Sequence, residues 1–182
     1  MLLSVSGLPG SGTSSVSRQV AARLGVQHLD GGTVFRSLAA ERNMSLADFG
    51  KLAETDESID LELDARLAAR ARAGDVLLES RLAGWILTNE GLSGLRVWIA
   101  CDPAERARRV SGRDGGTLED AVAANAAREA SEAARYLAYY GIDIADLGVY
   151  DLVLDSTSTV VADLVEVIAA AAVIHGGPPP TG

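Results

Sequence analysis

The first fifteen residues, MLLSVSGLPGSGTSS (Met1–Ser15), decide the fold. The apolar run 2–6 predicts a buried strand, and the glycine-rich segment after it leads into a predicted helix, Ser15–Leu24. In such a strand–loop–helix unit, backbone N–H groups point into the loop and the helix N-terminus adds partial positive charge. We therefore predict a phosphate-binding loop made of Gly7, Leu8, Pro9, Gly10, Ser11, Gly12, Thr13, Ser14 and Ser15.

The loop departs from the P-loop template at one position. The template reads G-x-x-x-x-G-K-[ST], in which the lysine reaches the nucleotide phosphates and the hydroxyl binds Mg²⁺. Gly7 and Gly12 have the required spacing and Ser14 supplies the hydroxyl, but Thr13 occupies the lysine position. A phosphoryl-transfer enzyme is favoured, and a turn that binds no nucleotide is the alternative.

Composition limits the class of protein. A chain of 182 residues is long enough for one well-formed core and too short for two ordinary domains. A formal net charge of −9 argues against nucleic-acid binding, so an anionic ligand needs a local cationic site. Because Lys51 is the only lysine, that site has to be built from arginine, which binds phosphate in a bidentate manner.

The single cysteine, Cys101, rules out an intramolecular disulfide and favours a reducing cytoplasm. Met1 leads directly into the first predicted strand, so we expect no leader peptide. The alanine-rich run 168–174 is too short to cross a bilayer. We expect a cytoplasmic protein that has no membrane or nucleic-acid partner.

Further strands are predicted where short apolar runs alternate with longer helical segments. The strands are predicted at 26–29, 76–79, 95–100 and 150–154, and the longer helices at 58–73, 118–140 and 160–173. This alternation predicts an α/β fold with a five-stranded parallel sheet, helices on both faces and ligands at the carboxyl ends of the strands. Thr33 is the expected cap of a helix that follows the second strand.

The segment between the second and third strands is larger than a plain crossover needs, and it is where a substrate-binding subdomain is expected. We predict a single domain, 1–175, with its core at 1–30, 75–103 and 141–175. The insertion is 31–74, and a lid with its adjoining helix is 104–140. The segment 176–182, rich in glycine and proline, is predicted to be a disordered tail.

Six arginines are candidates for phosphate contact, because phosphoryl transfer depends on positioning and charge neutralisation. Two follow predicted strand ends, two are one helical turn apart, and two are two turns apart. In that order they are Arg36 and Arg81, Arg109 and Arg113, and Arg128 and Arg135. For Arg113, Arg128 and Arg135, the alternative is an ion pair with Glu129 or Glu132. Solvated surface ion pairs are expected for Arg70, Arg72, Arg106 and Arg108.

Several segments resemble the cytidylate kinases of the archaeal type. They are GLPGSGTSS (7–15), GTVFR (32–36), ESRLAGW (79–85), REASE (128–132), RY (135–136) and YGID (140–143). The resemblance covers residues 1–157 and implies a P-loop fold of the nucleoside-monophosphate kinase type, with a helical monophosphate-binding insertion and a short lid. It also implies transfer of the ATP γ-phosphate to CMP or dCMP with Mg²⁺. We expect a monomer whose partners are small-molecule nucleotides.

The resemblance also implies roles for individual residues. The loop would hold the ATP phosphates, with Ser14 reaching Mg²⁺, and Arg36 and Arg81 would hold the CMP phosphate. Arg109 would bind ATP as one of a lid pair, and the residues assigned to catalysis are Arg113, Arg128 and Arg135. Asp30 and the acidic stretch 56–64, which includes Asp60, are candidates for contact with cytosine or ribose.

Two departures from the family pattern leave other functions open. Ser80 replaces the glycine usual in E-G-R, and Thr13 replaces the P-loop lysine. A small-molecule P-loop kinase of another specificity is one alternative. A catalytically silent nucleotide-binding regulator is the other.

Overall fold

The computed structural model describes residues 1–176, which form five strands and eight helices. The strands are β1 (Leu2–Gly7), β2 (Gln27–Asp30), β3 (Val76–Glu79), β4 (Leu95–Ala100) and β5 (Leu152–Asp155). The helices are α1 (Thr13–Leu24), α2 (Gly31–Glu41), α3 (Leu46–Ala53), α4 (Glu57–Arg72), α5 (Ala83–Asn89), α6 (Pro103–Asp114), α7 (Leu118–Tyr140) and α8 (Val161–His175). Within this part of the chain, no helix has the length and apolarity needed to cross a membrane.

The five strands form one sheet in the order β2-β3-β1-β4-β5, with every neighbouring pair parallel. The predicted five-stranded parallel sheet is therefore confirmed. Because β1 lies at the centre, the loop that follows it opens between the carboxyl ends of β3 and β4. The side chains that follow β2, β3, β4 and β5 reach the same edge of the sheet.

Helices cover both faces of the sheet. On one face, α1 and α8 pack over β1 and β4, burying Val16, Val20 and Ile168 in one apolar cluster. On the other face, α4 and α5 pack over β3 in a second cluster that includes Leu67 and Leu87. The alanine-rich run near the end of the chain is thus part of a core helix, and burial of its apolar side chains stabilises the fold.

The insertion between β2 and β3 consists of α2, α3 and α4, which share a small apolar cluster around Phe49 and Ile59. Asp30 caps α2, because its carboxylate accepts hydrogen bonds from the backbone N–H groups of Gly32 (2.9 Å) and Thr33 (3.2 Å). The predicted helix cap at Thr33 is wrong. Asp30, at the end of β2, reaches the first turn before Thr33 does, and the Thr33 hydroxyl itself donates to Asp30.

The long helix α7 has the predicted bounds, since a capping box of Thr117 and Asp120 begins it and Gly141 ends it at φ +67°. Near its end, Tyr136 and Ile142 pack against Leu82 after β3. β3 and β4 also have the predicted bounds, and the bounds of the other predicted strands and longer helices differ by one or two residues. Gly176 ends α8, and the rest of the predicted tail, 177–182, lies outside the described residues.

Candidate functional site

The glycine loop follows a path that only glycine permits at two of its positions. A Cβ on Gly7 would lie 2.7 Å from the carbonyl oxygen of Ile99, and a Cβ on Gly10 would lie 2.5 Å from that of Arg106. Gly10 and Gly12 also have φ values of +84° and +89°. Gly12 begins α1 without a side-chain cap, so the N-terminus of that helix faces the loop as a site for an anion.

A hydroxyl and a carboxylate meet beside the loop. The Ser14 hydroxyl donates to Oε1 of Glu79 at 2.5 Å, and Nε2 of His28 lies 2.8 Å from Oε2 of the same carboxylate. The Glu79 side chain is buried at the end of β3. No role is assigned to Glu79 from the sequence. The signal for it was a single acidic residue at the end of an otherwise apolar strand.

These two groups have the chemistry that Mg²⁺ prefers. Mg²⁺ takes oxygen ligands and is commonly held by one or two carboxylates together with substrate phosphates. Ser14 and Glu79 supply a hydroxyl and a carboxylate within hydrogen-bond distance, next to the predicted phosphate loop. Residues 1–176 contain no cluster of three or more acidic, histidine or cysteine ligands. Ser14 and Glu79 therefore suit a Mg²⁺ ion whose other ligands include the phosphates of a bound nucleotide.

Arg81 contacts the loop directly. Its Nη1 donates to the carbonyl oxygen of Gly7 at 2.8 Å, and its Nε donates to Oε2 of Glu132 at 2.9 Å. The other carboxylate oxygen of Glu132 accepts from Nε of Arg128 at 2.9 Å. Burial raises the pKa of Glu132, but the positive charges of Arg81 and Arg128 outweigh burial and leave the pKa below its usual range. Glu132 is therefore ionised, and the three side chains carry a net charge of one positive unit.

Arg36 lies on the second turn of α2, close to the end of β2. Its Nη2 donates to the Thr33 hydroxyl at 2.7 Å and lies 3.3 Å from Asp30. With a side chain that is 57% exposed, Arg36 can reach a ligand at the sheet edge. Asp30 has its carboxylate oxygens engaged by the start of α2 and by Arg36, so contact with a ribose or base would compete with these bonds.

Arg135 and Asp60 form a buried ion pair between α7 and α4, with 2.8 Å between Nε and Oδ2. Burial raises the pKa of Asp60, and the positive charge of Arg135 offsets only part of that rise. Arg128 and Arg135 lie on the same face of α7 but pair with different carboxylates, Glu132 and Asp60. Of the ion pairs considered from the sequence, the one between Arg128 and Glu132 is present.

The two lid arginines are in different environments. Arg109 lies over the β5 side of the loop, where its guanidinium donates to the Ser156 hydroxyl (3.1 Å) and carbonyl (2.6 Å), and Nη1 would be 3.6 Å from a Cβ on Gly12. Arg113 pairs with its neighbour Asp114, and its side chain is 68% exposed. The structure brings Arg109 to the loop and leaves Arg113 in solvent.

Arg106 was expected to be a solvated surface residue, and this expectation is wrong. Its side chain is 6% exposed and donates to the carbonyl oxygens of Pro9 (3.2 Å) and Cys101 (3.2 Å), with Glu129 as its ion-pair partner. The cause is the position of α6, whose first turn packs beneath the loop. Arg108, by contrast, is an exposed partner of Glu105, as predicted.

The two remaining surface predictions have different outcomes. Arg72 is exposed and pairs with Glu90, as predicted. Arg70 makes no ion pair among residues 1–176, and it donates instead to the carbonyl oxygen of Gly74 at 2.6 Å and to the side chain of Gln27 at 2.9 Å.

Ser80 lies against the start of α2. Its Cβ would be 2.8 Å from a Cβ on Gly31, so residue 31 has to be glycine while residue 80 carries a side chain. The Ser80 hydroxyl oxygen is buried and has no hydrogen-bond partner among residues 1–176.

The chain is similar to cytidylate kinases in sequence and to a shikimate kinase in fold. The model of the cytidylate kinase-like family matches residues 2–158. A cytidylate kinase of Methanocorpusculum labreanum is 43% identical over 94% of this chain and 96% of its own. A cytidylate kinase of Methanococcoides burtonii is 45% identical over 86% of this chain and 88% of its own. A shikimate kinase structure from Bacteroides thetaiotaomicron superposes with a TM-score of 0.62 at 10% identity, covering 94% of this chain and 97% of that one.

Proposed function

Because this chain belongs to the cytidylate kinase-like family, we propose that it transfers the γ-phosphate of ATP to CMP or dCMP, releasing ADP and CDP or dCDP. The observation that carries the proposal is the meeting of Ser14 and Glu79 beside the glycine loop, which gives a P-loop its magnesium ligands. We also propose that nucleotides are its small-molecule partners, and that it is a monomer in the cytoplasm.

The donor nucleotide binds on the loop. Backbone N–H groups of Gly7–Ser15 and the N-terminus of α1 hold the ATP phosphates, and Arg109 contacts the nucleotide from the β5 side. Ser14 and Glu79 hold Mg²⁺, which when bound neutralises charge on the phosphate oxygens. His28, at hydrogen-bond distance from Glu79, keeps that carboxylate turned toward Ser14.

The acceptor binds at the ends of β2 and β3. Arg36 and Arg81 follow these neighbouring strands, and their guanidinium groups hold the phosphate of CMP. Asp30 and Asp60 are the proposed contacts for ribose and base. An oxygen of the CMP phosphate then attacks the γ-phosphorus in line as the bond to the ADP oxygen breaks, without a covalent enzyme intermediate.

Further arginines neutralise the transferred phosphoryl group. Arg128 is 60% exposed and needs only a change of side-chain conformation, whereas Arg113, at the end of α6, requires movement of the lid. Arg135 is tied to Asp60 on the insertion, so closure of the insertion over CMP carries this guanidinium with it.

An ADP-release assay with CMP, dCMP, UMP, AMP and shikimate as alternative acceptors tests the proposal. We expect turnover with CMP or dCMP that depends on Mg²⁺ and exceeds the rate without acceptor. Turnover with UMP as well would show that the site accepts pyrimidines in general. The absence of turnover with every pyrimidine monophosphate would refute the proposed function, and ATP binding without transfer would favour a regulator.

A further inference from the structure

Thr13 occupies the lysine position of the P-loop template, and the structure shows where the side chain at this position points. The Cγ2 atom of Thr13 would lie 2.8 Å from a Cβ on Gly7, so the side chain at position 13 turns back toward the first residue of the loop. Arg81 reaches the same residue from β3, with Nη1 donating to the Gly7 carbonyl oxygen at 2.8 Å. Two side chains from different elements therefore converge on Gly7.

Arg81 lies on the β3 side of the loop. Glu79, two residues earlier, accepts the hydrogen bond from Ser14, so the carboxylate of the proposed magnesium pair and Arg81 both come from the end of β3. The acceptor is expected on this same side, between β3 and the insertion that begins after β2. Arg81 therefore lies on the side of the loop where the acceptor is expected.

The other arginines beside the loop are differently placed. Arg106 is buried under Pro9 and neutralised by Glu129. Arg109 lies on the opposite side of the loop, held by Ser156 after β5. Among residues 1–176, Arg81 is the cation that contacts the loop from the β3 side.

Arg81 also retains charge for a ligand. It shares Glu132 with Arg128, so the group of three has one positive charge in excess. Its Nη2 makes no hydrogen bond within residues 1–176, and its side chain is 18% exposed. A guanidinium carries donors along two edges and can contact oxygens of two phosphates at once.

We propose that Arg81, besides holding the CMP phosphate, supplies the β–γ bridge of ATP with the positive charge that a lysine at position 13 supplies in the P-loop template. This inference rests on the proposed function. In the transfer, the bond from the CMP oxygen to the γ-phosphorus forms as the bond to the bridging oxygen breaks, and ADP leaves with that electron pair. The guanidinium stays protonated throughout and neutralises the charge that develops.

The test moves the charge from one position to the other. Arg81→Gln is expected to lower kcat by about 10²–10³-fold, as loss of one charged transition-state donor does. Adding Thr13→Lys should recover about tenfold or more, whereas Thr13→Met, of similar length but uncharged, should recover nothing. Equal activity of the two double variants would overturn the proposal, as would an Arg81→Gln variant that changes only the KM for CMP.

Two controls separate this role from a general effect of charge. Thr13→Lys should not rescue Arg128→Gln, because Arg128 shares Glu132 with Arg81 but makes no contact with the loop; equal rescue would contradict the inference. In the otherwise native chain, Thr13→Lys adds a second charge to one that is already present, so its gain in kcat should be smaller than the gain it gives in the Arg81→Gln chain. A tenfold gain in kcat in the chain with native Arg81 would show that the charge at the β–γ bridge was missing, and it would contradict the inference. This result does not depend on the folding of Arg81→Gln.

A binding measurement keeps the inference distinct from the proposed function. Calorimetric titration without CMP should show that Arg81→Gln weakens ATP binding more than ADP binding, and that Thr13→Lys restores the difference. Equal weakening of both nucleotides would contradict the role of Arg81. If this pattern holds while native protein fails to phosphorylate CMP, the proposed function is wrong and the assignment of Arg81 stands.

Discussion

At the scale of single residues, the site depends on carboxylates that arginines, a hydroxyl or a histidine hold in place. Glu79 is held between Ser14 and His28, and Glu132 lies between Arg81 and Arg128. The sequence identified the arginines and offered Glu132 as a partner of Arg128, but it identified neither Glu79 nor the pairing of Glu132 with Arg81. A partner far along the chain becomes apparent only once the strands are assembled. Glu79 therefore gives the sharpest test of the proposed magnesium site.

Replacing Glu79 by glutamine removes the carboxylate charge while preserving the size of the side chain. We expect the Mg²⁺ concentration needed for half-maximal activity to rise and kcat to fall, each by about 10–100-fold, as is usual when a metal's carboxylate partner is lost. Titration of activity with Mg²⁺ measures both effects. Glu90→Gln, which alters a surface partner of Arg72, is the matched control and should change neither.

Asp64, one turn after Asp60 on α4, gives a prediction about stability and pH. Burial raises the pKa of Asp64 to about 6, from 3.8 in an unfolded chain. The folded state therefore binds an extra proton between about pH 4 and 6, and its stability falls as the pH rises through this window. Above pH 7 the ionised carboxylate costs about 3 kcal/mol.

Asp64→Asn removes that cost, so we expect its Tm to exceed that of the native chain by roughly 6–12 °C at pH 7.5 and nearly to match it at pH 4. Thermal unfolding followed by circular dichroism at the two pH values is the measurement. An equal gain at both values would show that ionisation of Asp64 is not the cause.

At the scale of elements, the sequence predicted what local chemistry determines. The bounds of α7 were predicted, with Gly141 as its end, and the glycine spacing predicted the loop. The seven-residue helix α5 was missed because it is too short to show a helical period. The burial of Arg106 was missed because it depends on how α6 packs beneath the loop, and the pairing of Arg135 with Asp60 joins residues 75 apart in the chain.

Opposite effects on stability are expected for alanine substitutions of a loop glycine, Gly10, and of a helical glycine, Gly50. Gly10→Ala places a Cβ 2.5 Å from the carbonyl oxygen of Arg106 at φ +84°, so we expect a loss of roughly 2–4 kcal/mol in unfolding free energy and loss of ATP binding. Gly50→Ala, within helix α3 and with open space around it, should gain up to about 1 kcal/mol. Urea unfolding measures both, and similar losses in the two variants would contradict this account of the loop.

At the scale of the whole molecule, α7 connects the parts that must act together. Its Glu129 pairs with Arg106 beneath the loop, its Glu132 binds Arg81 after β3, and its Arg135 pairs with Asp60 on the insertion. The proposed donor, transfer and acceptor sites are thus joined by one helix across the carboxyl edge of the sheet. Of these groups, the one formed by Glu132, Arg81 and Arg128 carries a net positive charge, in a chain whose net charge is −9.

The most direct test of the central claim follows the transferred phosphoryl group itself. Native protein is incubated with ATP labelled at the γ-phosphate, Mg²⁺ and CMP or dCMP, and the products are separated. The account predicts label in CDP or dCDP, in amounts equal to the ADP formed, and little label in free phosphate. Label that appears only in free phosphate, or remains in ATP with every pyrimidine monophosphate, would contradict it.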